Sequence, residues 1–328
     1  MIIEKENIEA GLWGLVGDKS MRIVIAGGSG LIGRELTSTL TAAGDEVIIL
    51  SRNPELVKGM PPGVNVIKWN GKTLEDWGMQ IEKSDVVINL TGENLSGVGF
   101  LPTRWTKERK LRIVQSRINS GKVLTKAIEK AADKPSVFVQ ASGIGFYGAH
   151  QEKSLNEEDG GGDDFSTNLC KEWEASSQPV EIMGIRRVVV RNGVVLSTKG
   201  GALPLLLLPY KLFVGGPLGN GNQIYSWIHI IDEVNAIQFL VRNNQAKGVF
   251  NLTAPNPVTN DEFGRTIAKV MKRPHYFPIP GFAMRLAFGE VSSMVLEGQK
   301  VLPQKLLDEG FGFTYPGLEE ALKDLLRK

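Results

Sequence analysis

Cysteine is almost missing from this sequence of 328 residues, and Cys170 is its one example. An intramolecular disulfide is therefore excluded, and no zinc-ligand spacing can be drawn. Such thiol usage suits a reducing compartment such as the cytoplasm. Histidine is scarce as well. His150, His229 and His275 are scattered along the chain, which argues against a catalytic metal. No apolar run reaches the length of a membrane span, and the run Leu203 to Leu208 is short and broken by Pro204 and Pro209. The net charge is only +2, which leaves no electrostatic case for nucleic acid as the main partner. Residues 1–20 carry acidic side chains and lack the apolar stretch of a signal peptide. They read as a short extension before a fold that starts at Met21. No repeat or low-complexity tract appears. A chain of this length can bury a large core, in one large domain or two.

What the chain does have is the stretch Ile23-Val24-Ile25-Ala26-Gly27-Gly28-Ser29-Gly30-Leu31-Ile32-Gly33. It predicts a buried strand, a glycine turn and a helix entry. Gly27, Gly30 and Gly33 permit a sharp bend, a close backbone approach to a pyrophosphate, and tight helix–strand packing. The helix starting near Leu31 points its positive dipole end at such a phosphate pair. Context strengthens this reading, because an amphipathic helix (31–43) and a second strand (46–50) follow. Just beyond that strand, a site for NAD usually places a carboxylate on the ribose 2′-OH. Here stand Ser51-Arg52-Asn53. A hydroxyl and a guanidinium suit a 2′-phosphate, so NADP(H) is the expected cofactor. The competing reading of Arg52 is a solvated surface charge.

Further along, strands are predicted at 64–69, 85–90, 136–141 and 185–191, with helices at 74–83, 107–132 and 165–177. This alternation predicts an α/β fold built on a Rossmann-type doubly wound parallel sheet. Its ligands belong at the carboxyl ends of the strands, in the loops after Ala26, Leu50, Leu90, Ala141 and Arg191. Beyond Arg191 prolines and glycines break the pattern. A strand at 223–230, a helix at 232–241 and a strand at 248–252 follow. The remainder reads as mostly helical, ending in an amphipathic helix at 318–326. The expected division is an extension (1–20), a nucleotide-binding core (21–191 with 225–252) and a smaller, mostly helical C-terminal lobe for substrate (192–224 with 253–328).

Several short motifs occur in a specific order: Asn89-Leu90-Thr91-Gly92-Glu93-Asn94, Arg104-Trp105, Ser116-Arg117, Ser142 to Gly148, Trp173-Glu174, Trp227-Ile228-His229-Ile230, Leu302-Pro303 and Gly310 to Phe313. Together they resemble the extended or atypical short-chain dehydrogenase/reductase superfamily, in its epimerase/dehydratase branch. The narrower resemblance is to an epimerase-like subfamily with its own C-terminal segment. It covers nearly everything from Met21 onward. The resemblance implies a cofactor site at Gly27, Ser29, Gly30, Leu31, Ile32, Gly33, Ser51, Arg52, Leu90, Thr91 and Gly92.

The departure from that family is in its chemistry. Its working members use a Tyr and a Lys spaced Y-x-x-x-K on a helix. Aligning Glu174 with the family's helix glutamate puts Ser166 at the Tyr position and Cys170 at the Lys position. A slip of one residue brings Lys171 to the Lys position but leaves Thr167 as the acid. The usual acid/base pair is missing either way. Ser142 at a strand end and Tyr147 five residues on are the candidate replacements. An unperturbed Tyr has a pKa of ~10, so Tyr147 needs a cationic neighbour, for which Lys171, Arg117 and Arg104 are candidates. A pocket-lining Tyr147 is the equal alternative.

Glu93, Arg117 and Gln223 are candidate substrate ligands. Arg117 either orients the backbone or binds an anionic substrate, and Gln223 is offered by a flexible loop. The plainer readings are a solvated loop charge for Glu93 and a surface salt bridge for Arg117. His229 reads as a packed, hydrogen-bonded histidine, Cys170 as a small buried residue, and the basic run 104–112 as a solvated helix face. The leading expectation is an NADP(H)-dependent oxidoreductase or epimerase-like enzyme acting on a carbonyl or hydroxyl carbon of a small molecule. The alternative is a cofactor-binding sensor or scaffold that turns over slowly. A third reading, an assembly or division factor, needs a protein partner the sequence does not name.

Overall fold

The structure is a computed structural model that describes residues 20–97 and 102–327, without the side chains of residues 150–152. The extension expected at 1–20 lies outside the described residues except for Ser20. The first half of the chain alternates as expected. Strand β1 (Arg22–Ala26) leads through the glycine turn into α1 (Leu31–Ala42), followed by β2 (Glu46–Ser51), β3 (Asn65–Lys68) and β4 (Val86–Asn89). The long helix α2 (Lys107–Lys130) starts at Thr106, whose side chain accepts a hydrogen bond from the Arg109 amide. Then come β5 (Val137–Gly143), β6 (His150–Leu155), α3 (Phe165–Ala175) and β7 (Arg186–Asn192).

The second half is made of shorter pieces. They are β8 (Val194–Leu196), α4 (Leu203–Lys211), β9 (Ile224–Tyr225), β10 (Trp227–His229), α5 (Ile230–Arg242), β11 (Gly248–Leu252), β12 (Val258–Thr259) and α6 (Asn260–Met271). The last segment holds α7 (Gly281–Phe288), α8 (Ser293–Leu296), β13 (Gln299–Val301), α9 (Gln304–Asp308) and α10 (Leu318–Leu326).

Seven strands form one sheet in the order β11-β7-β5-β4-β1-β2-β3, and every neighbouring pair is parallel. The central strands are buried on both faces, as their continuous apolar runs require. Side chains alternate across the sheet. Ile23 and Ile25 pack with Leu36 and Leu40 of α1 and Ile237 of α5, whereas Val24 and Ala26 pack with Leu124 and Ile128 of α2. The strand order reverses beside β1, where β4 takes the side opposite β2. That is the place where open α/β sheets leave a crevice at their carboxyl ends.

Four sequence expectations are corrected. The helix expected at 74–83 is a single 3-10 turn, Asp76–Gln80. Gly78 sits in it with Leu74 packed so close that a Cβ would lie 2.5 Å from its Cδ1. The broken run at 203–209 is a helix after all. Pro204 falls in its first turn, where a missing N–H costs nothing. Leu203, Leu207 and Tyr210 form its buried face with Trp227, Phe263 and Leu322. The strand expected at 223–230 divides at Ser226, so β9 pairs with β12 and β10 with β8. The strand expected to end at Ala141 runs on to Gly143.

Helix α5 carries an unusual group. Glu233 is fully buried, and neither carboxylate oxygen has a partner among the described residues. Burial pushes its acid up from 4.5 to about 8. The folded chain therefore holds a proton that the unfolded chain releases, and stability falls as pH rises between those two values. Glu233→Gln removes this dependence. Urea unfolding across that window is expected to show the native chain losing up to about 1.4 kcal/mol per pH unit more than the variant.

Candidate functional site

The crevice begins at the turn between β1 and α1. Gly27 has φ +84°, a conformation open to glycine, and a Cβ there would sit 2.9 Å from the Leu90 carbonyl carbon. A Cβ on Gly33 would meet the Gly27 oxygen at 2.5 Å and the Gly28 Cα at 2.6 Å. The turn is thus packed backbone against backbone. Gly30 precedes the helix, its N–H donating to the Gly27 oxygen at 3.0 Å. No side chain caps this helix end, and its first turn carries no acidic residue. The first amides of α1, including Leu31, Ile32 and Gly33, lack intrahelical acceptors by helix geometry. This backbone cradle fits a pyrophosphate. An open cleft of about 720 Å³ borders it, lined among others by Ser29, Gly30, Leu31, Arg34 and Lys199.

Next to the turn lies the end of β2. Ser51 is buried, and its hydroxyl accepts from the Asn53 amide at 3.3 Å. Arg52 is exposed and lines a cavity of about 390 Å³ with Lys68, Trp69, Asn70 and Glu75. Lys68 was not singled out from the sequence. Its position at the end of β3, the strand beside β2, is the feature that could have pointed to it. Two cations face one carboxylate here, and Glu75 is engaged by Asn70 at 2.6 Å and Thr73 at 2.8 Å. This end suits an anionic group.

On the other side of β1, the Leu90 amide donates to the Ala26 oxygen at 2.8 Å, which ties the β4 exit to the glycine turn. The buried Thr91 hydroxyl has no partner among the described residues. Gly92 lies against Arg117, since a Cβ there would be 2.9 Å from the guanidinium. Arg117 is buried, which corrects the surface salt-bridge reading, and its bonds to backbone oxygens agree with the backbone-orienting one. Its guanidinium donates to the Glu93 oxygen at 3.1 Å and stacks 4.7 Å from the Trp173 ring. Burial pulls its pKa down to about 10, so it stays charged near neutral pH. Glu93 turns its carboxylate to Arg112 at 3.5 Å. Gln223 is buried rather than on an open loop, its amide nitrogen donates to the Leu218 and Val295 oxygens at 2.9 Å each, and its Oε1 has no partner among the described residues.

At the end of β5 the Ser142 hydroxyl donates to Glu174 at 2.7 Å. Arg191, at the end of β7, grips the same carboxylate with two bonds, 2.8 and 2.9 Å. Its remaining nitrogen donates to the Tyr147 oxygen at 3.1 Å, and Tyr147 donates to Asn251 on β11 at 2.8 Å. Tyr147 therefore has a cationic neighbour, but it is none of the three expected. Lys171 bonds the Gly162 oxygen, Arg104 the oxygens of Leu286 and Ala287, and Arg117 the β4 loop. Tyr147 has no exposed surface, and burial raises its pKa against the pull of Arg191. Its proton is committed to Asn251 and its oxygen to Arg191. Burial opposes the charge on Arg191 as well, but Glu174 more than offsets this.

Helix α3 turns Ser166 and Cys170 toward the loop after β5. A Cβ on Gly145 would lie 3.1 Å from Ser166 Cβ and 4.0 Å from Cys170 Sγ. Burial and then Glu174 push the Cys170 thiol up to about 11, so it is neutral and no base near pH 7. His229 caps α5, with Nδ1 accepting from the Ile231 amide at 3.1 Å. No cluster of three metal-ligating side chains occurs among the described residues. Nor is any of their helices long and apolar enough to cross a membrane.

The roles of Glu174 and Arg191 escaped the sequence reading. The available hint was a charged residue ending the buried run Val188-Val189-Val190, because such a charge must find a partner. Glu174→Gln leaves Arg191 buried without its counter-charge. It is expected to cost about 3 kcal/mol in denaturant unfolding.

Comparison with known proteins agrees with this geometry. The model of the NAD dependent epimerase/dehydratase family matches residues 23–170, and a domain of unknown function (DUF1731) matches residues 279–325. The chain is 41% identical over 309 residues to the epimerase family protein YfhF of Bacillus subtilis, covering 93% of this chain and 98% of that one. It is 37% identical to the mouse epimerase family protein SDR39U1, over 93% of this chain and 100% of that protein. The crystal structure of the human protein of that name (isoform2), with NADPH, superposes with a TM-score of 0.83 at 36% identity. The match covers 93% of this chain and 99% of the human one. A UDP-glucose 4-epimerase of Thermus thermophilus in complex with NAD shares the fold, with a TM-score of 0.73 at 17% identity, over 92% of this chain and 97% of that one. On relatives this similar along nearly its whole length, the chain belongs to the epimerase family, with an epimerase/dehydratase domain followed by that family's C-terminal segment.

Proposed function

We propose that this chain binds NADP(H) across the crevice and uses it on a carbonyl or hydroxyl carbon of a small molecule. The observation that carries the reading is the uncapped, acid-free start of α1 over the Gly27–Gly33 contact, with Arg52 and Lys68 beside it. The human relative crystallised with NADPH supports the choice of cofactor. In this reading the α1 amides and Ser29 hold the pyrophosphate. Ser51, Arg52 and Lys68 hold the 2′-phosphate, and Leu90, Thr91 and Gly92 flank the dinucleotide. When bound, the nicotinamide supplies hydride exchange with the reacting carbon.

Ser142 is the polar group offered to substrate. Its proton already points at Glu174, so its free lone pairs accept from a substrate hydroxyl. A proton leaving that hydroxyl passes to Ser142, while the Ser142 proton passes to Glu174. Tyr147 serves by fixing Arg191, and through it Glu174. Glu93 and Arg117 shape the neighbouring loop.

A second reading has its own observation. Ser166 and Cys170 stand at the positions where the superfamily keeps a Tyr and a Lys, and neither is an acid/base near neutral pH. A chain so equipped can serve as a sensor or scaffold that holds NADP(H) and turns over slowly.

NADPH is expected to bind more tightly than NADH, and Arg52→Asp to weaken NADPH by about tenfold or more, the worth of a charge-assisted phosphate contact. Equal affinity for the two cofactors would make Arg52 a surface charge. In a screen of carbonyl and alcohol substrates, Ser142→Ala is expected to abolish turnover while NADPH binding persists. Tight NADPH binding without oxidation across the whole screen favours the second reading.

A further inference from the structure

The C-terminal lobe carries large apolar side chains on its outside. Tyr276 is 79% exposed, Phe282 74% and Leu286 75%, and Phe213, Val214 and Phe277 are exposed as well. They belong to adjoining pieces of chain. The amides of Tyr276 and Phe277 donate to the Gly215 oxygen at 2.9 and 3.0 Å, and the Ile279 amide donates to the Pro217 oxygen at 2.9 Å. Pro280 then caps α7, which brings Phe282 and Leu286 out one turn apart on the same face. Helix α7 has no buried residue, although most of its side chains are apolar. Isolated exposed apolar residues are ordinary, but a run of this kind marks a contact surface.

Charge selects the occupant. Lys211, Lys272, Arg273 and Arg285 lie among these residues, and Arg273 stacks 4.2 Å from the Phe213 ring. No Asp or Glu occurs between Glu181 and Asp232, nor between Glu262 and Glu290. The segments that carry these side chains thus hold cations and no carboxylate, and the acids at their borders are engaged, Asp261 by His275 and Arg265 and Glu290 by Lys110. The pairing of apolar side chains with cations fits an anionic bilayer surface, where the former enter the headgroup boundary and Lys and Arg meet lipid phosphates and carboxylates. An eight-residue helix spans about 12 Å, far short of a bilayer core, so it can only lie in the interface.

We propose that this face docks the chain on anionic lipid membranes, with Phe282, Leu286, Tyr276 and Phe277 inserted and Lys211, Lys272, Arg273 and Arg285 on the headgroups. The surface is tied to the rest of the molecule at the far end of α7. There Arg104 bonds the Leu286 and Ala287 oxygens, and Glu290 pairs with Lys110 of α2 at 2.5 Å. This proposal does not rest on the cofactor reading.

The test is co-sedimentation of the full chain with phosphatidylcholine vesicles, with and without phosphatidylserine, at low and high salt. The chain is expected to sediment with the phosphatidylserine vesicles and to be released by salt. Each cation contributes about fivefold in partition. Lys272→Glu with Arg285→Glu is expected to lower binding by about 25-fold or more, and Phe282→Ser with Leu286→Ser to abolish it. Thermal unfolding should be unchanged in both pairs, since none of the four side chains is buried. No sedimentation with phosphatidylserine vesicles at low salt would overturn the proposal. So would undiminished binding by both variants. A concentration-dependent dimer that Phe282→Ser disrupts, without vesicle binding, would assign the face to a second copy of the chain instead.

Discussion

Backbone meets backbone where β1 ends and α1 begins, and the site is built outward from that contact. Gly33 touches the Gly27 carbonyl and the Gly28 Cα at distances that leave no room for a methyl group. Because the helix starts so close to the strand, its unpaired amides open over the carboxyl edge of the sheet. On the other side of the same turn, Gly27 lies under the Leu90 carbonyl, and Leu90 bonds back to Ala26. The loop after β4 is thus fixed by the same absence of side chains. The two walls of the crevice share one packing constraint.

A second constraint crosses the fold further along. Ser142, Glu174, Arg191, Tyr147 and Asn251 join the ends of β5, α3, β7 and β11 in one hydrogen-bonded row. Asn251 continues it to the Leu302 oxygen beyond β13. A buried ion pair of this kind is a poor source of net stability, yet removing one partner is costly. Its value here is geometric. It sets the direction of the Ser142 hydroxyl and couples the epimerase/dehydratase core to the C-terminal segment. Both the proton and the oxygen of the Tyr147 hydroxyl are engaged in this row.

The strands were legible because a parallel sheet buried on both faces writes continuous apolar runs, as in β1, β4 and β7. The glycine turn was legible because its steric demands permit few other residues. Helix α4 was not, since Pro204 and Pro209 read as breakers until the first turn and the last are seen to tolerate them. The pairing of Tyr147 with Arg191 and Asn251 spans 44 and 104 positions, and no local pattern encodes it. Gln223 looked like a ligand because its loop is rich in glycine and asparagine. Only the arrival of the Val295 carbonyl, 72 positions on, shows where its amide is used.

The central claim is that the Gly27–Gly33 contact opens the helix end to a dinucleotide. Calorimetric titration of NADPH into the native chain and into Gly33→Ala tests it most directly, with circular dichroism to follow the sheet. The account predicts that Gly33→Ala keeps the sheet spectrum but loses affinity by about tenfold or more. Native affinity in a folded Gly33→Ala chain would contradict it.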